Sequence, residues 1–586
     1  MNGKILIIAV AFAALVAGCV AFGLMGNTAD EGNEIEMQDS RIDDSTIDTG
    51  VDEDVTNDFE FTVTYESGTE NAYTITQNGG ETTVTFANIT EDTSYSISGS
   101  LTGNIVIDAG DYDFELTLCG VTITSSKNVP ICAVSGENID ITAKKDTTNY
   151  VYDNRSAVSG EDTSASIYSV SDLKLKGKGK LVVVSENNNG IHSKDDLEVK
   201  NLTLYVTCVD NALKGNDSVT ITSGSVTLNA TSGDGIKTSS TDVSSKGLQR
   251  GTVTINSDDG NTSVTIKAYC DGIDAAYDVV IEETQGNTVT VDIIAGTTAS
   301  ATANSVTAGF QPGGPGGQRP DWGGSPGGGS WGQGGPDSDG NKNKADYSCK
   351  GMKAGNSISI VSGTVIIDSY DDSLHANNDD SMESGAIPTG NITISGGTVT
   401  LNSKDDAIHA DGSLTISGGT VKITGSYEGL EGASVTVSGG NVSIIASDDG
   451  VNATGAIMIS GGTLYVYAGG DGLDSNSRVR YGGIQFTGGE TTIISTSGGN
   501  SSIDSEAGYT YSGGKVLAIC PTGMTQEVMN ADTWSSSATY KTMSLSSGST
   551  VKVSVGGSTV MSVTMPVTIS NAFVVYLGSN SATITA

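Results

Sequence analysis

The sequence predicts an all-β protein, a single-stranded parallel β-helix of about 22 residues per coil with β caps at both ends. Three observations carry this. First, one phrase recurs four times. Ile392-Thr-Ile-Ser-Gly-Gly leads to Asp405-Asp406-Ala407-Ile408-His409, and Leu414-Thr-Ile-Ser-Gly-Gly to Glu428-Gly429-Leu430-Glu431. Val435-Thr-Val-Ser-Gly-Gly leads to Asp448-Asp449-Gly450-Val451-Asn452, and Ile457-Met-Ile-Ser-Gly-Gly to Asp471-Gly472-Leu473-Asp474. Second, each unit holds two short runs of strict apolar/polar alternation around a Gly-Gly turn, then a third piece with one inward apolar residue. Third, 78 Gly, 9 Pro and 5% aromatic residues suit turn-dense β-structure with a thin aliphatic core and are poor helix material. No such coil buries its apolar residues alone, so neighbours must stack.

In chain order, residues 1–25 carry Lys4 and then an apolar run ending in Leu15-Val16-Ala17-Gly18-Cys19. That resembles a lipobox, with Cys19 lipidated; the uncut run 5–25 is also long enough for a membrane-spanning anchor. Either way the rest of the chain is expected outside the cell, anchored to its surface. Residues 26–58 are crowded with Asp and Glu and read as a disordered tether. The β-helix is assigned to 59–520. It carries a Gly/Pro-rich insertion at about 300–345, between the turns at Gly272 and Gly351, with Trp322 and Trp331 inside it. Residues 521–586 read as a C-terminal β cap, since open coils expose strand edges.

The 69 acidic against 29 basic residues give a net charge of −40. Nucleic acid and anionic membranes are poor partners for such a chain, except for a membrane reached through the N-terminal anchor. Calcium or a cation-bridged acidic polymer suits it, and so does plain solubilisation. A monomer is expected.

Several stretches follow one ordered pattern: Tyr95-Ser-Ile-Ser-Gly-Ser-Leu-Thr-Gly-Asn-Ile-Val-Ile, Leu118-Cys-Gly-Val-Thr-Ile, Gly190-Ile-His-Ser-Lys-Asp-Asp-Leu197, Gly233-Asp-Gly-Ile-Lys237 and Ser348-Cys-Lys-Gly-Met-Lys-Ala354. With the Gly/Pro-rich insertion before the last of these, the order resembles the prokaryotic surface proteins known as carbohydrate-binding-domain proteins. That resemblance spans roughly residues 93–519. It implies a right-handed, calcium-containing parallel β-helix, similar in fold to family-nine polysaccharide lyases, and binding of pectic or cellulosic polysaccharide.

The residues themselves point to a few chemistries. Acids recur at the turn in coil after coil: Asp271 with Asp274, Asp371 with Asp372, Asp405 with Asp406, Asp448 with Asp449, and Asp471 with Asp474. Asp234 and Glu428 extend the row. Stacked about 4.8 Å apart, bare carboxylates repel and some must hold protons. A calcium ion with oxygen ligands at roughly 2.3–2.6 Å fits between two rungs. Asp371/Asp372 with Asp405/Asp406 is the densest set. The alternative is a solvated acidic ridge making Asx turns.

His192, His375 and His409 share the next column with Lys214, Lys237 and Lys353. A column accepting His, Lys, Asp, Asn and Glu is expected to face outward. There His192, Lys194, His375 and His409 are candidate sugar contacts, as are Trp322 and Trp331 through their ring faces. The alternative for these Trp residues is cover for the helix wall. A calcium-dependent pectate-type lyase is the second reading, with Lys404 or Lys194 as the base, and a structural adhesin the third. Cys270 and Cys349 stand at equivalent turn positions, either as a disulfide or as two thiols.

Overall fold

The computed structural model describes residues 60–157, 165–284, 286–296, 348–378 and 382–586. The 26–58 tether, the Gly/Pro-rich insertion, Cys19, Trp322 and Trp331 lie outside these residues. The described chain is all-β and solenoid-like, with one large, mostly parallel sheet. Strands along it fall on three faces that repeat coil after coil. On the first face Asp196–Lys200, Ser218–Ile221 and Thr252–Asn256 stack in register, aligning Leu197, Val219 and Val253. On the second face Leu202–Cys208 pairs with Gly224–Ala230 and that with Thr262–Ala268. The third face is built of very short strands such as Leu374–Ala376, Val451–Ala453 and Leu473–Ser475.

Register is what makes the core. On the third face Ile408 pairs with Leu430, Leu430 with Val451 and Val451 with Leu473, steps of 22, 21 and 22 residues. All four are fully buried. Because side chains alternate across a strand, every second residue of each face turns inward, and these stacked columns fill the bore. Each buried aliphatic side chain in those columns contributes about 1.5–3 kcal/mol relative to exposure.

The even step is broken at several coils. Ile236 pairs with Ile273 and Leu374 with Ile408, so these coils carry extra chain. The two long loops meet, Ser384 N–H donating to Thr241 O (3.1 Å). Ile273 pairs directly with Met352, so these two residues belong to adjacent rungs of the stack.

The Ser-Gly-Gly turns explain themselves geometrically. A Cβ at Gly439 would stand 2.2 Å from Ser417 O in the turn below. Gly440 adopts φ +78°, a left-handed conformation costly for any other residue.

At the two ends the pairing turns antiparallel. Tyr73–Asn78 forms a hairpin with Glu81–Phe86, and Thr62–Ser67 runs antiparallel to Thr93–Asp108. Phe86, Tyr95 and Phe114 fill the bore there, with ring centroids 5.0–6.2 Å apart. At the other end Ile569–Leu577 lies between Tyr509–Pro521 and Ala538–Leu545, antiparallel to both. Its residues alternate between two cores. Phe573, Val575 and Leu577 join the solenoid interior. Ala572, Val574 and Tyr576 join a second cluster with Val551, Val553 and Met561.

Gly440→Ala is expected to lower stability by about 1–3 kcal/mol, from the left-handed backbone and the backbone of Gly418 and Gly419 beside its new methyl. Gly498→Ala, with open space around its Cβ, is the control and should be near neutral. Urea unfolding of the two variants distinguishes them, and equal midpoints would contradict the stacked-turn account.

Candidate functional site

The third face turns on a four-residue pattern. An acid comes first, then a small residue, then the inward apolar side chain, then a polar residue. Small residues are required beside the wall of the bore: a Cβ at Gly450 would lie 2.1 Å from Val466 Cγ1. The pattern leaves two outward columns per coil, an acid column and a polar column.

The acid column is a relay. Asp234 accepts the backbone N–H of Asp271 (3.0 Å) and Asp271 that of Lys350 (2.7 Å). Asp372 accepts from Asp406 N (3.0 Å), Asp406 from Glu428 N (3.1 Å), Asp449 from Asp471 N (2.6 Å), and Asp471 from Ser501 N. Each Asp thus spends its Oδ1 on the amide of the next coil. The Asx turns considered as the alternative are not the main use of these carboxylates. Glu428 interrupts the relay: its longer side chain turns sideways, and Oε1 accepts Asn452 Nδ2 (3.2 Å).

In the first two thirds of the ladder basic side chains meet the remaining oxygens. Lys237 Nζ bridges Asp234 Oδ2 (2.7 Å) and Asp274 Oδ2 (2.6 Å). Among the described residues Asp271 has no such partner; burial and the neighbouring acids push its carboxyl up to about 7. Lys350 Nζ bridges Asp371 Oδ2 (2.9 Å) and Asp372 Oδ2 (2.8 Å). His375 Nδ1 lies 2.6 Å from Asp372 Oδ2. The His375 and His409 rings stack at 4.6 Å, 12° from parallel. His409 Nδ1 lies 2.9 Å from Glu431 Oε2 and 3.3 Å from Asp406 Oδ2, and its Nε2 lies 3.3 Å from Asp411 Oδ1. Burial works against the charge on His409, but these three carboxylates outweigh it and hold the imidazole protonated. Burial likewise opposes the charge on Asp372, and Lys350 with His375 overcomes it, keeping that carboxyl well below the usual range.

The last third has no such relief. Among the described residues Glu428, Asp448, Asp449, Asp471, Asp474 and Asp504 make no ion pair with a basic side chain. Burial followed by the neighbouring acids raises Glu428 to about 9, Asp449 to about 8, Asp474 to about 7, and Asp471 to about 6. Two buried acceptor oxygens, Glu428 Oε2 and Asn452 Oδ1, have no hydrogen-bond partner. Asp448 Oδ1 lies 2.4 Å from where a Gly470 Cβ would stand, beside the Asp449 Oδ1 that accepts Asp471 N–H. This row of oxygens is short of positive charge, and among the described residues no three of its carboxylates bring an oxygen each within 4.8 Å of one another.

The structure therefore redistributes the sequence expectations. It does gather one oxygen each from Asp371, Asp372 and Asp405 within 4.8 Å, and likewise Asp234, Asp271 and Asp274. Each group, however, already holds a lysine ammonium, and Asp406 belongs to the relay and to His409. The densest set is not the one that lacks a cation.

The polar column corrects the expectation of an exposed row. His192, Lys214, His375 and His409 point away from the bore yet are only 1–6% exposed. Adjacent coils sit so close that each side chain is covered by the next, and charge is tolerated because it is paired. His192, for example, packs edge-on to Tyr168 at 5.5 Å and places Nε2 3.1 Å from Asn216 Oδ1. Lys353 reaches Asp274 at 3.7 Å.

Lys194 and Lys404 are exposed, Lys404 Nζ lying 5.6 Å from the Tyr370 ring centroid. Neither sits in a desolvated pocket. Cys270 and Cys349 form no disulfide. Their thiols donate in parallel to Ser232 O and Tyr269 O, each at 3.4 Å, because stacked equivalent side chains run alongside rather than toward one another.

Lys350, Asp411, Glu431 and Asn452 went unrecognised in the sequence. Lys350 was legible in principle, as the one cation at an acid position of the repeat.

A family model described as carbohydrate-binding domain-containing protein matches residues 78–391, 388–429 and 430–584. A protein of that description from Acetivibrio thermocellus is 35% identical over 118 residues, 19% of this chain and 41% of that protein, so less than half of that relative is spanned. A solved structure, the polysaccharide lyase-like protein from C. thermocellum as a gadolinium derivative, is 28% identical and is matched over 40% of this chain and 91% of its own, with a TM-score of 0.33.

Two outcomes are expected. Lys350→Met leaves Asp371 and Asp372 facing each other without their ammonium and should cost about 3–5 kcal/mol in urea unfolding; a near-neutral result would contradict the bridging role. In metal-free protein, Asp449, Asp471 and Asp474 titrate above the unfolded value of about 3.9, so the native state binds more protons than the unfolded one. Stability should then fall as pH rises from about 4 to 8. Protonated His409 adds a loss of the same sign above about 6.5. Denaturation midpoints at pH 5 and pH 8 in chelator check this, and a midpoint that rises with pH would refute it.

Proposed function

The chain belongs to the family of carbohydrate-binding domain-containing proteins, and from that membership we propose a calcium-containing polysaccharide-binding protein of the cell surface, acting as a monomer. The observation that carries the calcium is the last third of the acid ladder. Glu428, Asp448, Asp449, Asp471 and Asp474 crowd there without a basic partner among the described residues, beside two unpartnered buried acceptors. Calcium bound by those oxygens would keep them ionised and remove their mutual repulsion. The cation would be the counterpart of Lys237 and Lys350 in the preceding coils.

In the finer reading the solenoid is a right-handed β-helix of about 22 residues per coil with a β cap at each end. The steps of 21 and 22 residues and the antiparallel terminal strands support it. Pectic, acidic or cellulosic chains are the proposed ligands. Residues 1–25 supply the proposed anchor, through Cys19 as lipid attachment or as a membrane helix. A lyase is not favoured, since both candidate bases, Lys194 and Lys404, lie in the open.

Retention of the protein on immobilised polygalacturonate and on cellulose, with calcium and with chelator, tests the reading. Retention on at least one polymer is expected, together with a thermal midpoint that calcium raises. At a calcium concentration 100 times Kd the stabilisation should be about 2.7 kcal/mol. Asp449→Asn with Asp471→Asn should lose most of that increment. Absence of retention on every polymer in calcium would overturn the function, and a midpoint indifferent to calcium would overturn the metal.

A further inference from the structure

The second face bears an outward surface that the ladder does not involve. In Thr148–Asp153 the side chains of Tyr150 and Tyr152 alternate outward while Asn149 and Val151 are buried. Their rings are parallel within 5°, with centroids 5.9 Å apart. Tyr150 pairs across the sheet with Val182, and Val182 with Tyr205. Val182 stands on this outer side, apart from the bore residues Leu181 and Val183, yet is only 1% exposed. Lys180 Nζ lies 4.4 Å from the Tyr205 ring centroid. Among the described residues none of the three phenol hydroxyls has a hydrogen-bond partner.

The charge around these rings runs against that of the whole chain. Lys174, Lys176 and Lys200 are neutralised by Glu198 (2.7 Å), Asp140 (2.6 Å) and Asp259 (2.7 Å). Lys178, exposed at the turn leading into the strand Lys180–Ser185, and Lys180 have no carboxylate partner among the described residues. Unneutralised lysines beside solvent-facing tyrosines, in a molecule of net charge −40, mark a place where an anion is favoured locally.

We propose that Tyr150, Tyr152 and Tyr205 with Lys178 and Lys180 form a second binding platform, for a polysaccharide that carries carboxylate groups. The assignment rests on the polysaccharide-binding reading and adds a site remote from the acid ladder. Sugar-ring C–H groups carry partial positive charge and pack on the negative faces of tyrosine rings. The phenols offer hydrogen bonds to ring hydroxyls, and the two ammonium groups meet the carboxylates. Tyr150 and Tyr205 lie two rungs apart, about 10 Å, so a short run of sugar units spans them. The ladder, by contrast, takes cations.

The test uses the full chain in calcium with two probes, polygalacturonate and the same polymer after carboxyl reduction. Tetranitromethane nitration read by peptide mass mapping should show Tyr150, Tyr152 and Tyr205 protected by polygalacturonate and not by the reduced polymer. Lys178→Gln with Lys180→Gln should weaken polygalacturonate binding at least fivefold and flatten its salt dependence, with the thermal midpoint unchanged. Binding of polygalacturonate with these tyrosines unprotected and the lysine variant unaffected overturns the platform and leaves the proposed function standing. Protection by the reduced polymer alone overturns the assignment to acidic glycans. Failure of the wild type to bind any polysaccharide overturns both.

Discussion

Everything in this molecule follows from equivalent residues being held one above another in register, about 4.8 Å apart. Inside the bore that constraint is favourable, because an apolar side chain stacked on its own kind makes a continuous core from strands of three to seven residues. At the corners it is costly, because a charge stacked on its own kind repels. The ladder answers the second problem with what the first provides. Each Asp gives one oxygen to a backbone N–H of the next coil, replacing water where water is excluded. Its other oxygen then needs only one cation for every two carboxylates, which Lys237 and Lys350 supply.

The ladder is therefore polar along the axis of the stack. Lysine bridges dominate the coils around Asp234 to Asp372, imidazoles follow at His375 and His409, and beyond Glu431 no basic side chain intervenes. Burial and repulsion hold those last carboxyls within reach of neutral pH. That gradient, more than the number of acids, is what singles out one stretch of the ladder for the metal ion we propose.

The repeated phrase made the fold and its columns readable, since turn glycines and alternation are imposed by local backbone geometry. Which residues share the bore and which share the acid column was legible for the same reason. What was not legible is how much each column is covered, since that depends on contacts between coils. His192, His375 and His409 look like surface residues in the sequence and are buried by their neighbours. Lys350 looks like a break in the acid pattern and is in fact the bridge between Asp371 and Asp372. Cys270 and Cys349 occupy matching positions, but matching positions make parallel side chains, which a disulfide cannot join without movement. Tyr205 lies more than fifty residues from Tyr150 and Tyr152, and only the pairing of three strands unites them.

The relay from carboxylate to amide also has a direction: it reaches only from one coil toward its C-terminal neighbour. A coil duplicated within the Asp-bearing stretch would join with both of its seams satisfied, whatever its outer face displays. The run stops at Ser501, whose hydroxyl turns back to Ile503 O (2.6 Å) and offers nothing onward. Coils added by internal copying ahead of that serine would thus keep the relay unbroken, while the seam after it offers no such acceptor.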